Sequence, residues 1–135
     1  ILLGGQFRIA SPPNYGLDDN TLSITNQKIS GGASPIKSFV DPYEATYQAD
    51  VIYTDVWTSM GQETEKETRE RSFHNYTVNE KLIANAKSDV ILMHPMPVHY
   101  GQEIASELID HTQSVMLKQA ENRLHAQKAL LANII

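Results

Sequence analysis

Asp55-Val56-Trp57-Thr58-Ser59-Met60-Gly61 follows the apolar run Asp50-Val51-Ile52-Tyr53-Thr54 and opens into a strongly charged segment. The same arrangement occurs twice more. Residues 89–93 form a second apolar run that ends in His94-Pro95-Met96-Pro97. A third, residues 114–117, leads into Gln119-Ala120-Glu121-Asn122-Arg123-Leu124-His125-Ala126-Gln127-Lys128-Ala129. Each short, buried-type strand delivers a polar cluster at its carboxyl end. In open α/β sheets that edge is where ligands bind.

Working outward, residues 7–10 read as a strand, halted by the turn cluster Ser11-Pro12-Pro13-Asn14-Tyr15-Gly16. Residues 18–28 carry the return helix, although Ser23, Thr25 and Asn26 are mediocre helix formers. Gly31-Gly32 closes it, and residues 36–40 read as the next strand. Asp41-Pro42 is a helix start, an N-cap followed by proline at the first helical position. The helix over 42–48 then leads to a strand over 51–54. Residues 63–71 alternate acids and bases, acidic early and basic late, as in a solvated helix. Asn79 caps a helix running to Lys87, with Leu82, Ile83 and Ala86 on one face. Residues 90–93 are continuously apolar, which predicts a strand buried on both faces. A helix over 102–109, a strand over 115–117 and a final helix over 120–135 complete the pattern.

Strands alternating with helices predict a Rossmann-like α/β fold, a parallel sheet flanked by helices with right-handed crossovers. Five strands are expected, marked by Phe7, Ile36, Val51, Val90 and Val115. Neither Gly4-Gly5 nor Gly31-Gly32 has the spacing of a dinucleotide-binding loop. The 135 residues, 41% of them hydrophobic, suit one domain with a core of its own. With no cysteine, a disulfide framework and thiolate metal sites are excluded, in keeping with a cytoplasmic location. No membrane span or secretory leader is expected, and a net charge of −5 argues against sequence-independent nucleic-acid binding.

Taken together and in order, the three clusters resemble those of the ornithine carbamoyltransferases, within the aspartate/ornithine carbamoyltransferase family. The resemblance runs from about Leu3 to the C-terminus and corresponds to the family's second, amino-acid-binding domain. It implies a domain fragment spanning residues 1–135, lacking that domain's first strand and the carbamoyl-phosphate domain with its Ser-Thr-Arg-Thr-type loop. The C-terminal helix, about 120–135, is then expected to pack back toward the carbamoyl-phosphate domain. The implied reaction transfers a carbamoyl group from carbamoyl phosphate to the δ-amine of L-ornithine, giving L-citrulline and phosphate. It needs no metal and no organic cofactor, because the phosphate leaving group already makes the carbonyl reactive. The full-length protein is expected to form a trimer or a multiple of trimers, without nucleic-acid or membrane partners.

The resemblance also distributes roles. Asp55 is suited to pair with a substrate ammonium group, while Ser59 and the Met60 and Gly61 amides can face its carboxylate. The competing reading makes Asp55 a helix cap and Met60 a core filler. In His94-Pro95-Met96-Pro97, two prolines remove backbone donors and leave the carbonyls of Pro95 and Met96 free to accept from the attacking amine. A cis bond before Pro97 suits so rigid a turn. His94 and Arg123 are the candidate catalytic residues; the Arg123 guanidinium can stabilise charge growing on the carbamoyl oxygen. Against these stand a merely packed His94 and an Arg123 ion-paired with Glu121 or another acid.

Two stretches depart from the pattern. The ornithine enzymes typically have His-Cys-Leu-Pro where this chain has Pro95 and Met96, and His-Arg-Gly where it has His99-Tyr100-Gly101. The His-Pro-x-Pro form looks more like the aspartate enzymes, yet Asp55 would repel a dicarboxylate. Putrescine lacks the α-groups that Asp55, Ser59 and Met60 would bind. A paralogue or binding module without catalysis is the alternative that Pro95 and Tyr100 favour.

Overall fold

The computed structural model describes residues 5–28 and 35–134. The opening residues 1–4 and the Gly31-Gly32 helix stop lie outside them. The chain divides into two units, Ile1–Tyr47 and Gln48–Ile135.

In the first unit, β1 (Arg8–Ala10) pairs in parallel with β2 (Lys37–Phe39), Arg8 opposite Lys37 and Ala10 opposite Phe39. Helix α1 (Asp19–Gln27) lies between them in sequence. It forms despite its Ser, Thr and Asn content because Asp18 caps it. One Asp18 oxygen accepts from the Thr21 amide at 2.9 Å, the other from the Thr21 hydroxyl at 2.6 Å. The hydroxyl bond, then the amide bond, hold the Asp18 carboxyl below its usual range. Helix α2 (Pro42–Thr46) starts as expected, with Asp41 accepting from the Tyr43 amide at 2.8 Å and proline at its first position. It stops two residues short of the expected end, with Gln48 at a φ of 54°.

The second unit holds the three clusters. Here β3 (Val51–Tyr53) and β4 (Ile91–Met93) pair in parallel, Val51 opposite Ile91 and Tyr53 opposite Met93. Between them run α3 (Lys66–Phe73), preceded by a 3-10 turn at Glu63–Glu65, and α4 (Glu80–Ala84). Asn79 caps α4 by accepting from the Leu82 amide at 3.0 Å. The core is built from Ile52, Val78, Leu82, Ile83, Ala86, Val90, Leu92, Ile104, Leu108 and Met116.

The architecture is α/β with parallel pairing, but four expectations need correction. Among the described residues the strands form two two-stranded sheets rather than one of five. Residues 115–117 are not a strand: the pairing shrinks to a single bridge between Leu92 and Ser114, and α5 (Met116–Ile134) has already begun. Met116, Leu117 and Lys118 are good helix formers, and one bridge does not outweigh their preference. Residues 102–109 are not a helix either, apart from a 3-10 turn at Ser106–Leu108. Their backbone bonds elsewhere: the Val78 amide donates to the Glu103 carbonyl at 3.0 Å and the Ala105 amide to the Val78 carbonyl at 2.9 Å. Finally, β4 is not covered on both faces. Val90, Leu92 and His94 are buried, whereas Ile91 is 38% exposed. That alternation is the two-residue period of a strand with one buried face.

Candidate functional site

Parallel pairing fixes which residues can meet. The Thr54 amide donates to the Met93 carbonyl at 3.1 Å, continuing the ladder one residue past Tyr53. Asp55 and the turn at 94–97 therefore leave the sheet at the same carboxyl edge. Asp55 is exposed, and its Oδ1 accepts from the Val56 amide at 2.7 Å; it caps no helix. The loop beyond it is pinned to α3. Trp57 stacks on Phe73 with ring centroids 6.0 Å apart, and Phe73 meets Tyr76 edge-on at 5.6 Å. Arg69, paired with Glu65 at 2.9 Å, also donates to the Trp57 carbonyl at 3.4 Å.

The Ser59-Met60-Gly61 tip is a tight turn. The Gln62 amide donates to the Ser59 carbonyl at 3.0 Å, and the Ser59 amide to the Gln62 side-chain oxygen at 3.3 Å. Gly61 sits at a φ of 88°, a conformation that side chains disfavour, and its amide donates to Glu63 Oε1 at 2.9 Å. Met60 is 97% exposed and fills no core gap.

The turn at 94–97 is held from inside. The His94 ring is fully buried. Its Nε2 lies 3.0 Å from Glu103 Oε1, and its Nδ1 faces the Pro95 carbonyl oxygen. The His94 amide donates to Gln119 Oε1 at 3.1 Å, and Gln119 Nε2 donates to the Tyr53 hydroxyl at 3.3 Å. Gln119, from the first turns of α5, thus bridges the ends of β3 and β4. The Met96–Pro97 bond is cis, as expected. Pro95 is partly exposed and Met96 exposed. In this arrangement the His94 ring can hold the turn, while the turn's outer surface is what a ligand could reach.

Arg123 lies one helical turn beyond Gln119 on α5, hence on the same side of the helix. It is exposed, and among the described residues no carboxylate pairs with it, Glu121 included. Tyr100 is 60% exposed. An open depression on α3, lined by Glu67, Glu70, Arg71 and His74, includes none of these residues. Among the described residues no group of three or more acids and histidines is placed to hold a metal, and no helix is long and apolar enough to cross a membrane. Sequence reasoning missed Glu103 and Gln119. Gln119 stands inside the third polar cluster, whereas Glu103 falls within the helix expected over 102–109, which does not form.

Comparison with known proteins gives a consistent result. Residues 1–134 match the model of the aspartate/ornithine carbamoyltransferase Asp/Orn binding domain. An ornithine carbamoyltransferase of Staphylothermus marinus is 46% identical over 134 residues, 99% of this chain and 43% of the relative. The solved ornithine carbamoyltransferase of Pyrococcus furiosus superposes with a TM-score of 0.86 at 44% identity, covering 96% of this chain and 42% of that one. The anabolic enzyme of Campylobacter jejuni superposes with a TM-score of 0.88 at 34% identity, again over 96% of this chain and 43% of that one. The chain therefore spans less than half the length of these relatives.

Proposed function

Since this chain belongs to the aspartate/ornithine carbamoyltransferase family, we propose that it forms the amino-acid-binding part of an ornithine carbamoyltransferase. The protein that carries it would transfer the carbamoyl group of carbamoyl phosphate to the δ-amine of L-ornithine, releasing L-citrulline and phosphate. The observation that carries this reading is the register of β3 and β4, which brings the Asp55 loop and the 94–97 turn to one sheet edge.

In this mechanism the Asp55 carboxylate pairs with the substrate α-ammonium group, and the Ser59 hydroxyl and Met60 amide receive its α-carboxylate. The far end of the substrate then reaches the turn. The Pro95 and Met96 carbonyls accept N–H bonds from the neutral amine and aim its lone pair at the carbamoyl carbon. Attack forms the new C–N bond and moves charge onto the carbamoyl oxygen, where Arg123 stabilises it. Collapse expels phosphate, and the amine loses a proton. His94 acts from behind the turn, holding its shape.

Helix α5 exposes Leu117, Leu124, Leu130, Leu131 and Ile134 along its length. So much apolar surface suits a helix that packs against the carbamoyl-phosphate domain in a cytoplasmic trimer. The test is to supply the complete protein with carbamoyl phosphate and ornithine. Citrulline and phosphate in equal amounts are expected. Ornithine binding without citrulline would leave a binding module, the outcome that Tyr100 in the family's usual arginine position favours.

A further inference from the structure

Glu103 is fully buried, yet no step of the transfer described above uses it. Its Oε1 meets two donors, His94 Nε2 at 3.0 Å and the His99 amide at 2.7 Å. One oxygen thereby ties the first residue of the turn to a residue just past its end. The other oxygen, Oε2, is buried without a hydrogen-bond partner, and His99 Nδ1 stands 3.8 Å away, too far for one. Burying a carboxyl group with an unsatisfied oxygen costs stability, and an apolar side chain would fill the space at less cost. The acid is mounted rigidly: its backbone is bonded to Val78 and the next residue, Ile104, is core.

We propose that Glu103 is the positioning residue for the amine-accepting carbonyls of Pro95 and Met96. Its carboxyl group clamps the His94 ring and the His99 amide together, and the ring's other nitrogen meets the Pro95 carbonyl. A line of contacts thus runs from the core through Glu103 and His94 to the surface of the turn. This deepens the carbamoyl-transfer reading and rests on it. The carbonyls orient a lone pair, so a small change in their direction should be felt in the chemical step more than in binding. A misplacement of about 1 Å can cost about 100-fold in rate.

The test compares E103M and H94N with the parent in the complete protein, measuring kcat, KM for ornithine, carbamoyl phosphate affinity and Tm. Met keeps about the length of Glu103 but offers no oxygen to either donor; Asn cannot span from the turn to Glu103. Each variant should lower kcat about 10- to 100-fold while KM for ornithine moves less than about threefold. The double variant should be no worse than the poorer single one, because both cut the same linkage. A purely structural acid would lower Tm and the folded yield but leave kcat per folded molecule alone. A kcat within about twofold of the parent in a folded variant overturns the proposal. If E103M does not fold, H94N decides it. A parent that makes no citrulline removes the transfer reading and this proposal together, whereas an active parent with unaffected variants removes Glu103 alone.

Discussion

Gly61 donates its amide hydrogen to the Glu63 carboxylate at 2.9 Å, inside the loop whose amides are proposed to receive a substrate carboxylate. That bond is the main reason the Glu63 carboxyl is held below its ordinary value of 4.5. A depressed folded value means that the contact is fully stabilising above the ordinary one and is lost as pH falls through the folded one. Following the Gly61 amide resonance during acidification should give a midpoint below 4.5. E63Q should abolish the titration. A midpoint at or above the ordinary value would show that the bond does not form in solution.

Asp55→Asn in the complete protein should weaken ornithine binding far more than carbamoyl phosphate binding. A carboxylate–ammonium pair in a closed site is a charge-assisted bond of about 1.5–3 kcal/mol, and the amide keeps the shape without the charge. Equilibrium titration of each ligand decides it. Equal losses, or none, would remove Asp55 from the amino-acid site.

The one-sided burial of β4 makes a sharp stability contrast between neighbours. Leu92 is 0% exposed and Ile91 is 38% exposed. Leu92→Ala should cost about 2–5 kcal/mol through lost transfer energy and the cavity it leaves. Ile91→Ala removes nearly the same atoms from a half-covered face and should cost well under half as much. Denaturant unfolding of both variants measures the difference. Equal costs would mean that something covers the Ile91 face in solution.

What could be read from the sequence was what depends on near neighbours. Asp41 and Asn79 cap helices because the groups they bond lie two or three residues away. The order of strand, loop and turn around Asp55 and His94 was legible for the same reason. What could not be read depends on distant partners. Residues 102–109 lose their helix to backbone bonds with Val78, more than twenty residues earlier. Gln119 reaches His94 across 25 residues and Tyr53 across 66, and no local pattern marks such a bridge. Glu103 gives the same lesson: an acid beside a glycine turn reads as surface until packing places it under the histidine.

Arg123→Ala in the complete protein should lower kcat more than it raises KM for ornithine. The guanidinium is proposed to act on charge that develops as the carbamoyl carbon is attacked, so its interaction is strongest in the transition state. Removing one such donor commonly costs about 2.7–4 kcal/mol of barrier, roughly 100- to 1,000-fold in rate. Lys would restore only part of this, because a point charge cannot reproduce the planar fork. The structure already weakens the rival account, since among the described residues Arg123 has no carboxylate partner. An exposed ion pair would be worth about 1 kcal/mol or less, and its loss would move Tm rather than turnover. Kinetics and Tm measured on the same variant separate the two: reduced kcat at unchanged Tm places Arg123 at the reacting group, and near-normal turnover removes it from the site.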